Sequence, residues 1–225
     1  MNVKPILFNT EMVRAILDGR KTCTRRICKD ANECTVPDMD FYNADRRTYA
    51  VHNFADKKHT EQLSIAERTC PICPGDILYV RETWERFECC NCDGDERGNC
   101  PKEPKKSVLD KTCGCYMYRA TDEISGDAKW HPSIHMPKEA ARIWLKVTDV
   151  RVERLQKITP QGAWKEGARC SCMHPVPDCA GNKTAFVDIW DSTIKKADLD
   201  CYGWQANPYV WVIEFERCDK PESEE

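Results

Sequence analysis

The sequence predicts an α+β fold, in which a curved sheet or small barrel carries a few short helices, and three observations indicate it. Several strand-like segments of mixed spacing are joined by only two or three helical ones. Of the 225 residues, 41% are hydrophobic and 32% are charged, which is enough for one sizeable core or two small ones. The mean hydropathy is -0.66 and no run of about 18 apolar residues occurs, which excludes a transmembrane helix. We therefore expect a single domain over residues 1–218, with Cys-rich insertions at about 85–115 and 168–183 and an acidic tail at 219–225.

Charge and cysteine content narrow the class of protein further. The 34 basic and 37 acidic residues give a net charge of -3, so any contact with nucleic acid would be local rather than driven by the charge of the whole chain. The first nine residues hold too short an apolar stretch for a secretory signal, and we expect a cytoplasmic protein. In that compartment the 16 cysteines predict thiols, some of which bind metal, rather than a disulfide framework.

The N-terminal elements are a helix and a basic segment. Helical spacing predicts a helix over residues 10–18, with Thr10 as its cap and Gly19 at its end. Residues 20–26 then extend and form the only concentrated positive patch in the chain. Residues 29–67 show no clean period and suggest a long excursion that contains a hairpin.

Strand signals return in the middle of the chain. The turn triplet at 74–76 leads into a strand predicted over 77–84, and strand character resumes at 116–121. A long strand follows over 142–155. Its apolar alternation changes from odd to even positions, and a β-bulge near Thr148 and Asp149 would reconcile the two halves.

The last third of the chain alternates helices with a final strand. Thr159 caps a short helix that has proline in its first position and ends at Gly167, which places Glu166 in its last turn. A second helix is predicted from residue 184 to about 192. The strand over 209–215 is apolar on both faces, and we expect it to lie inside the sheet.

Three motifs carry a resemblance to a known family. The segments 19–26 (GRKTCTRR), 74–76 (PGD) and 211–215 (WVIEF) resemble the ASCH domain family, which belongs to the PUA-like group of RNA-associated barrels. With 81–84 (RETW) and 147–153 (VTDVRVE), the arrangement is similar to the longer ASCH proteins of bacteriophage and prophage genomes. The resemblance implies a PUA-like barrel and a nucleoside or single-stranded RNA as partner.

One small bacterial member of that family hydrolyses the acetyl amide of acetylated cytidine. Similarity within the first motif implies that Lys21 and Thr24 are catalytic, and a weaker match over 155–166 adds Glu166. A neutral lysine would activate the threonine hydroxyl for attack on the amide, and the glutamate would protonate the departing amine or hold the base of the substrate. Lys21 and Thr24 converge only if the lysine lies in the turn after Gly19 or the strand is bulged, because residues three apart in a strand face opposite sides.

The same segment also fits binding without catalysis. Basic side chains would contact phosphates while a tryptophan stacks on a base, as in modules that bind single-stranded RNA. The candidates for these contacts are Arg20, Arg25, Arg26, Trp84 and Trp130. A ribonuclease of the same fold is another alternative, although no histidine stands close in sequence to the basic motif. An adaptor stabilised by zinc is a further alternative, which predicts neither activity nor nucleic-acid affinity.

Two clusters of cysteines predict structural zinc. The first has the spacing Cys-x2-Cys-x20-Cys-x-Cys, which is close to that of four-thiolate zinc sites. Its members are Cys89, Cys92, Cys113 and Cys115. Pairing Cys70 and Cys73 with the last two is equally possible. The second cluster could form a Cys3His site, and its members are Cys170, Cys172, His174 and Cys179.

Overall fold

The computed structural model describes residues 2–29, 71–86, 116–123 and 129–221 in full, and the backbone of the strands that lie between or beside these ranges. The strands are β1 (Val3–Leu7), β2 (Cys23–Ile27), β3 (Tyr42–Asn43), β4 (Thr48–Phe54), β5 (Gln62–Thr69), β6 (Ile77–Arg81), β7 (Trp84–Glu88), β8 (Lys105–Lys106), β9 (Cys113–Tyr118), β10 (Trp144–Arg154) and β11 (Tyr209–Cys218). The helices are α1 (Thr10–Leu17), α2 (Pro160–Lys165), α3 (Gly181–Thr193) and α4 (Leu199–Tyr202).

A five-stranded mixed sheet with the order β1-β6-β10-β11-β2 forms the centre of the structure. The β1–β6 pair is parallel and the other three pairs are antiparallel. This confirms the predicted α+β class. In the described ranges β1 and β2 are the two edges and do not pair with each other, so the sheet is open there and a closed barrel stays a prediction.

Two predictions about the long strands are confirmed. The register of β10 against β11 shifts between Val147 and Asp149, where the change of alternation predicts a bulge. β11 lies between β10 and β2 and is apolar on both faces. Trp211 and Ile213 pack in the core that includes α1, whereas Val210 and Val212 pack with α2 and α3.

Two smaller sheets accompany the central one. Their orders are β3-β4-β5 and β7-β9-β8, and the antiparallel pairing of β4 with β5 confirms the hairpin expected within residues 29–67. The strand predicted over 77–84 is in fact two strands, because β6 ends at Arg81 and Trp84 begins β7 in another sheet. Between them Glu82 is buried and pairs with Arg142, which lies 60 positions later in the chain.

The helix ends follow from their caps. Asn9 rather than Thr10 caps α1, since the Asn9 side chain accepts a hydrogen bond from the Met12 backbone N–H at 2.9 Å. Thr159 caps α2 as predicted, accepting from the Gly162 N–H at 3.0 Å. α2 ends one residue earlier than expected, which makes Glu166 its C-cap. Within the described ranges, none of these helices is long and apolar enough to cross a membrane.

Candidate functional site

The turn after α1 places Lys21 beside β2. Gly19 adopts a φ of +71°, a left-handed conformation that glycine enters without steric cost. The backbone N–H groups of Arg20 and Lys21 then both donate to the Ala15 carbonyl, at 2.8 and 2.9 Å. Lys21 therefore lies in the turn and Thr24 lies in β2, which is the arrangement that their convergence requires. Both side chains are buried, and both line one cavity.

Glu166 reaches the same cavity from the end of α2. Gly167 ends the helix with a φ of +90°, and the Thr22 N–H donates to the Lys165 carbonyl at 2.9 Å. A Cβ at position 167 would lie 3.2 Å from the Ala15 Cβ and 3.5 Å from the Lys21 Cβ. Glycine at this position therefore allows α2 to end directly against the turn that carries Lys21.

The Lys21 ammonium has three acceptors. Its Nζ donates to Glu166 Oε2 at 2.6 Å, to the Cys23 carbonyl at 2.7 Å and to the Glu166 carbonyl at 3.0 Å. Three acceptors match the three hydrogens of a charged lysine, so this is the geometry of an ion pair. Burial lowers the pKa of Lys21, and Glu166 opposes that shift without cancelling it.

Arg25 binds the second carboxylate oxygen of Glu166, the one that Lys21 does not contact. Its Nη1 donates to Glu166 Oε1 at 3.1 Å, and its Nη2 donates to Glu153 Oε1 at 2.7 Å. The remaining donor, Nε, is buried and has no acceptor. Arg25 also lines the cavity, so an unsatisfied N–H belongs to one of its wall residues.

The Thr24 hydroxyl makes no hydrogen bond with any residue of the described ranges. Its side chain is only 2% exposed, and β2 holds the backbone at Thr24 against Ile213 of β11. The Thr24 oxygen is not among the buried polar atoms of the described ranges that lack a partner, so part of its surface is open to the cavity. Thr24 therefore presents a hydroxyl to a cavity that Arg25, with its unpaired Nε, also lines.

The cavity is small and adjoins a larger groove. Its volume of about 60 Å³ is well below that of ordinary ligand sites. A neighbouring groove of about 460 Å³ shares five of its residues, which are Phe8, Asn9, Met12, Arg26 and Thr193. The far wall of the cavity comes from α3, through Phe186, Ile189 and Trp190.

The predicted binding residues are divided between several places. Arg26 is exposed and lines both the cavity and the groove, and its Nη2 donates to the Leu7 carbonyl at 2.8 Å. Arg20 pairs with Asp18 at the surface. Neither Trp84 nor Trp130 lines the cavity or the groove.

Several residues of the site were not among the sequence-predicted candidates. Glu153 binds Arg25, and Phe8 and Asn9 form the wall shared by cavity and groove. The helical spacing of Phe186 and Trp190 predicts that they face inward, yet it gives no signal that they face Thr24. The alternation of β10 after its bulge is the one pattern that could have placed Glu153 on a known face.

The cysteine clusters differ in what the structure describes. In the first cluster Cys89 and Cys92 lie outside the described residues, as does Cys70, and Cys113 and Cys115 are described only as backbone of β9. In the second cluster the sulfurs of Cys170, Cys172 and Cys179 lie within 4.8 Å of one another and could hold a metal ion. Cys170 and Cys172 are joined as a disulfide. His174 is exposed and does not belong to that group of three.

The fold and site together define an α+β protein with a buried Lys-Thr-Glu constellation at the edge of a mixed sheet. Comparison of the chain with protein-family models, with curated proteins and with solved structures finds no match. The resemblance to the ASCH family therefore rests on the quoted motifs alone.

Proposed function

We propose that this protein is an ASCH-like hydrolase with a PUA-like fold, which cleaves the amide of an acetylated cytidine, either as a nucleoside or within single-stranded RNA. One observation carries the proposal. A lysine and a threonine from β2 and its turn, and a glutamate from a segment about 140 residues later, all line one small cavity. Nucleophilic catalysis by threonine requires a base for the hydroxyl proton, and Lys21, whose pKa is lowered by burial, lines the same cavity as Thr24.

The 2.6 Å contact between Lys21 and Glu166 provides a way to prepare both groups for the reaction. Transfer of one proton from Lys21 Nζ to Glu166 Oε2 converts the ion pair into a neutral amine and a neutral acid. The amine is then the general base and the carboxylic acid is the general acid. The low polarity around the pair reduces the cost of this neutral form, because burial penalises the charged one.

The reaction then follows in balanced steps. Thr24 Oγ attacks the acetyl carbonyl and gives its proton to Lys21 Nζ, and the C–N bond breaks as Glu166 protonates the cytidine amine. The resulting acetyl ester on Thr24 is hydrolysed by water, whose proton passes to the Glu166 carboxylate, and the ester C–O bond breaks as the Lys21 ammonium returns its proton to Thr24 Oγ. The Arg25 Nε–H, which has no acceptor of its own, is available to the oxyanion of each tetrahedral intermediate.

The sizes of the two spaces fit a substrate of two parts. About 60 Å³ accommodates an acetyl group, whereas a groove of about 460 Å³ falls within the range of ordinary ligand sites. The acetyl group would enter the cavity and the nucleoside would lie in the groove. Arg26 at their junction would contact a phosphate if the substrate is RNA.

A non-catalytic RNA-binding module is the second candidate, because Arg26 and the groove serve binding without any reaction. We also propose that zinc has a purely structural role in this protein, since no cysteine in the described part of the chain lines the cavity. Thiolate-bound zinc without an open site near substrate does not activate water.

Hydrolysis of acetylated cytidine tests the proposal directly. Release of acetate should be measured for the wild type, for Thr24→Ala and for Lys21→Met, with Thr22→Ala as the matched control because Thr22 is an exposed threonine two residues away. We expect turnover in the wild type and in Thr22→Ala, and a loss of at least about 100-fold in the other two.

Other outcomes separate the alternatives. Turnover that survives in Thr24→Ala would exclude Thr24 as the nucleophile. No turnover in any variant, together with RNA binding that weakens at high salt, would favour the binding module over the hydrolase. Circular dichroism of each variant shows whether a loss of activity reflects loss of the fold.

A further inference from the structure

Three sulfurs converge in the segment that joins α2 to α3. Those of Cys170, Cys172 and Cys179 lie within 4.8 Å of one another, and Cys172 Sγ and Cys179 Sγ are 3.8 Å apart. Zinc bound to thiolates at about 2.3 Å in tetrahedral geometry separates its sulfurs by about 3.8 Å. The second distance therefore already corresponds to one edge of a zinc-thiolate tetrahedron.

A buried amide organises this loop. Asn182 is fully buried, and its Oδ1 accepts from the Cys170 N–H at 3.0 Å. Its Nδ2 donates to the carbonyls of Val176 and Pro177, at 2.8 and 3.0 Å. One side chain thus fixes both arms of the loop, and the Asn182 N–H adds a bond to the Cys179 carbonyl at 3.0 Å.

The residue before Asn182 is a glycine, and the close approach of the two arms requires it. A Cβ at Gly181 would lie 2.7 Å from the Cys170 Cβ and 3.7 Å from the Cys179 Sγ. The first of these distances is shorter than non-bonded carbon atoms tolerate. A larger residue at position 181 would therefore push Cys170 away from the other two thiols.

We propose that the reduced loop binds one zinc ion through the thiolates of Cys170, Cys172 and Cys179. Thiolates are the ligands that zinc prefers among protein sulfur and oxygen donors, and three of them from a preformed loop lower the ordering cost of binding. Metal binding and the Cys170–Cys172 disulfide exclude each other, because both need the same two sulfurs. Residues 171–178 of the loop are all exposed, so solvent metal has access to it.

The position of the loop gives the metal a structural consequence. Glu166 precedes the first of these cysteines by four residues, and α3 begins two residues after the last. α3 provides Phe186, Ile189 and Trp190 to the cavity wall. Zinc would thus link the segment that carries the proposed acid to the helix that closes the opposite side of the cavity.

The zinc content of the full-length, reduced protein tests this site. Each variant should be loaded with zinc in the presence of a phosphine reductant, freed of excess metal, and measured for zinc per chain. We expect Cys172→Ser and Cys179→Ser each to hold one equivalent less than the wild type. Cys201→Ser is the matched control, because Cys201 is exposed, and it should match the wild type.

The test compares zinc per chain between variants, because zinc bound by cysteines elsewhere in the chain is the same in every sample. Equal zinc in Cys179→Ser and Cys201→Ser would overturn the proposal, and so would a Cys170–Cys172 disulfide that persists in reducing buffer.

Thiol labelling of the wild type tests the same site without a substitution, so it remains informative if a variant does not fold. We expect zinc to protect Cys170, Cys172 and Cys179 from alkylation, as read by mass spectrometry, and a chelator to remove the protection. Alkylation of the three thiols at the same rate with and without zinc would overturn the site. None of these measurements depends on turnover, so failure of the hydrolase proposal would leave them unaffected.

Discussion

Two buried ion pairs lie on different parts of the central sheet, and they differ in what surrounds them. Arg142 donates to both oxygens of Glu82, from Nε and Nη2, each at 2.9 Å. The guanidinium of Arg142 lies 4.0 Å from the centre of the Tyr118 ring, and its Nη1 donates to Thr121. Burial raises the pKa of Glu82, and Arg142 opposes the shift. The guanidinium of Arg142 thus binds both carboxylate oxygens of Glu82. Neither Glu82 nor Arg142 lines the cavity or the groove.

The Lys21–Glu166 pair is arranged differently. Its carboxylate is divided between Lys21 and Arg25, which leaves Arg25 Nε without an acceptor, and the Thr24 hydroxyl lies on the same cavity. Removing one partner of the Glu82–Arg142 pair would leave an uncompensated charge in a mostly buried place, so we expect this pair to matter for stability. Because the Lys21–Glu166 pair borders a cavity together with a donor that has no partner, we propose that it acts on a ligand. The two pairs thus differ both in the cation and in the neighbours of the carboxylate.

The largest expected effect separates the two pairs by activity. Lys21→Met removes the proposed base, and we expect kcat for acetylated cytidine to fall by about 1,000-fold, within the range of general base catalysis. Arg142→Met breaks the other pair and should leave kcat per folded molecule within about twofold of the wild type. Similar losses in both variants would mean that the two pairs do not differ in function.

The second prediction concerns the free energy of unfolding, for which we expect the Glu82–Arg142 pair to be important. Glu82→Gln leaves Arg142 without its carboxylate in a mostly buried place, and we expect the free energy of unfolding to fall by about 3 kcal/mol. Glu11→Gln, at the exposed Glu11–Arg14 pair, is the control and should cost less than about 1 kcal/mol. Urea unfolding measures both values, and equal losses would contradict the structural role of the buried pair.

The pH dependence of activity should report Lys21. Because the proposed active form is the Lys21–Glu166 pair with one shared proton, kcat should fall about tenfold per pH unit above the lowered pKa of Lys21, where the pair loses that proton and Glu166 is no longer an acid. The fall should begin below pH 10.5, the ordinary value for lysine. A folded-state pKa below the unfolded one also means that the unfolded chain binds more protons between the two values, so the contribution of Lys21 to stability rises with pH in that window.

Thr22→Ala, which leaves the pair in place, should keep the same fall at high pH. A wild-type profile that stays flat beyond pH 10.5 would contradict the use of the shared proton in the reaction.

The smallest expected effect concerns the cap of α2. Thr159→Ala removes the side-chain acceptor of the Gly162 N–H, and we expect a loss of about 1 kcal/mol in the free energy of unfolding, by thermal or urea denaturation. Asn9→Ala at α1 should cost about the same. A loss from Thr159→Ala several times that from Asn9→Ala would show that α2 is held by its cap rather than by packing against β2.

Local signals in the sequence were sufficient for much of the fold. The change of alternation along β10 predicts its bulge, and the glycines at 19 and 167 predict two helix ends that the structure has in left-handed conformation. These features depend on neighbours in the sequence. The cap of α1 was mispredicted because Asn9 and Thr10 stand side by side and both are favourable N-cap residues. The end of β6 was mispredicted because Glu82, just after it, pairs with Arg142, which lies 60 positions later in the chain.

The site was predictable only in part. The motif at 19–26 and the resemblance to a family indicate Lys21, Thr24 and Glu166, yet nothing in the sequence shows that Arg25 lies between two carboxylates. Glu153 lies 128 positions and Glu166 lies 141 positions after Arg25 in the chain. Arg25 was predicted to bind substrate, and its role in the structure is to hold Glu166 and Glu153. Such partners emerge only when α2, β2 and β10 are packed together.

The small volume of the cavity limits what can reach the Thr24 hydroxyl. At about 60 Å³ it lies well below the size of ordinary ligand sites. A bulkier group on that side would have to displace Phe186 or Trp190, which are packed in the core with α2 and α3. If the proposed hydrolysis takes place here, these two aromatic side chains would set the largest acyl group that the site accepts.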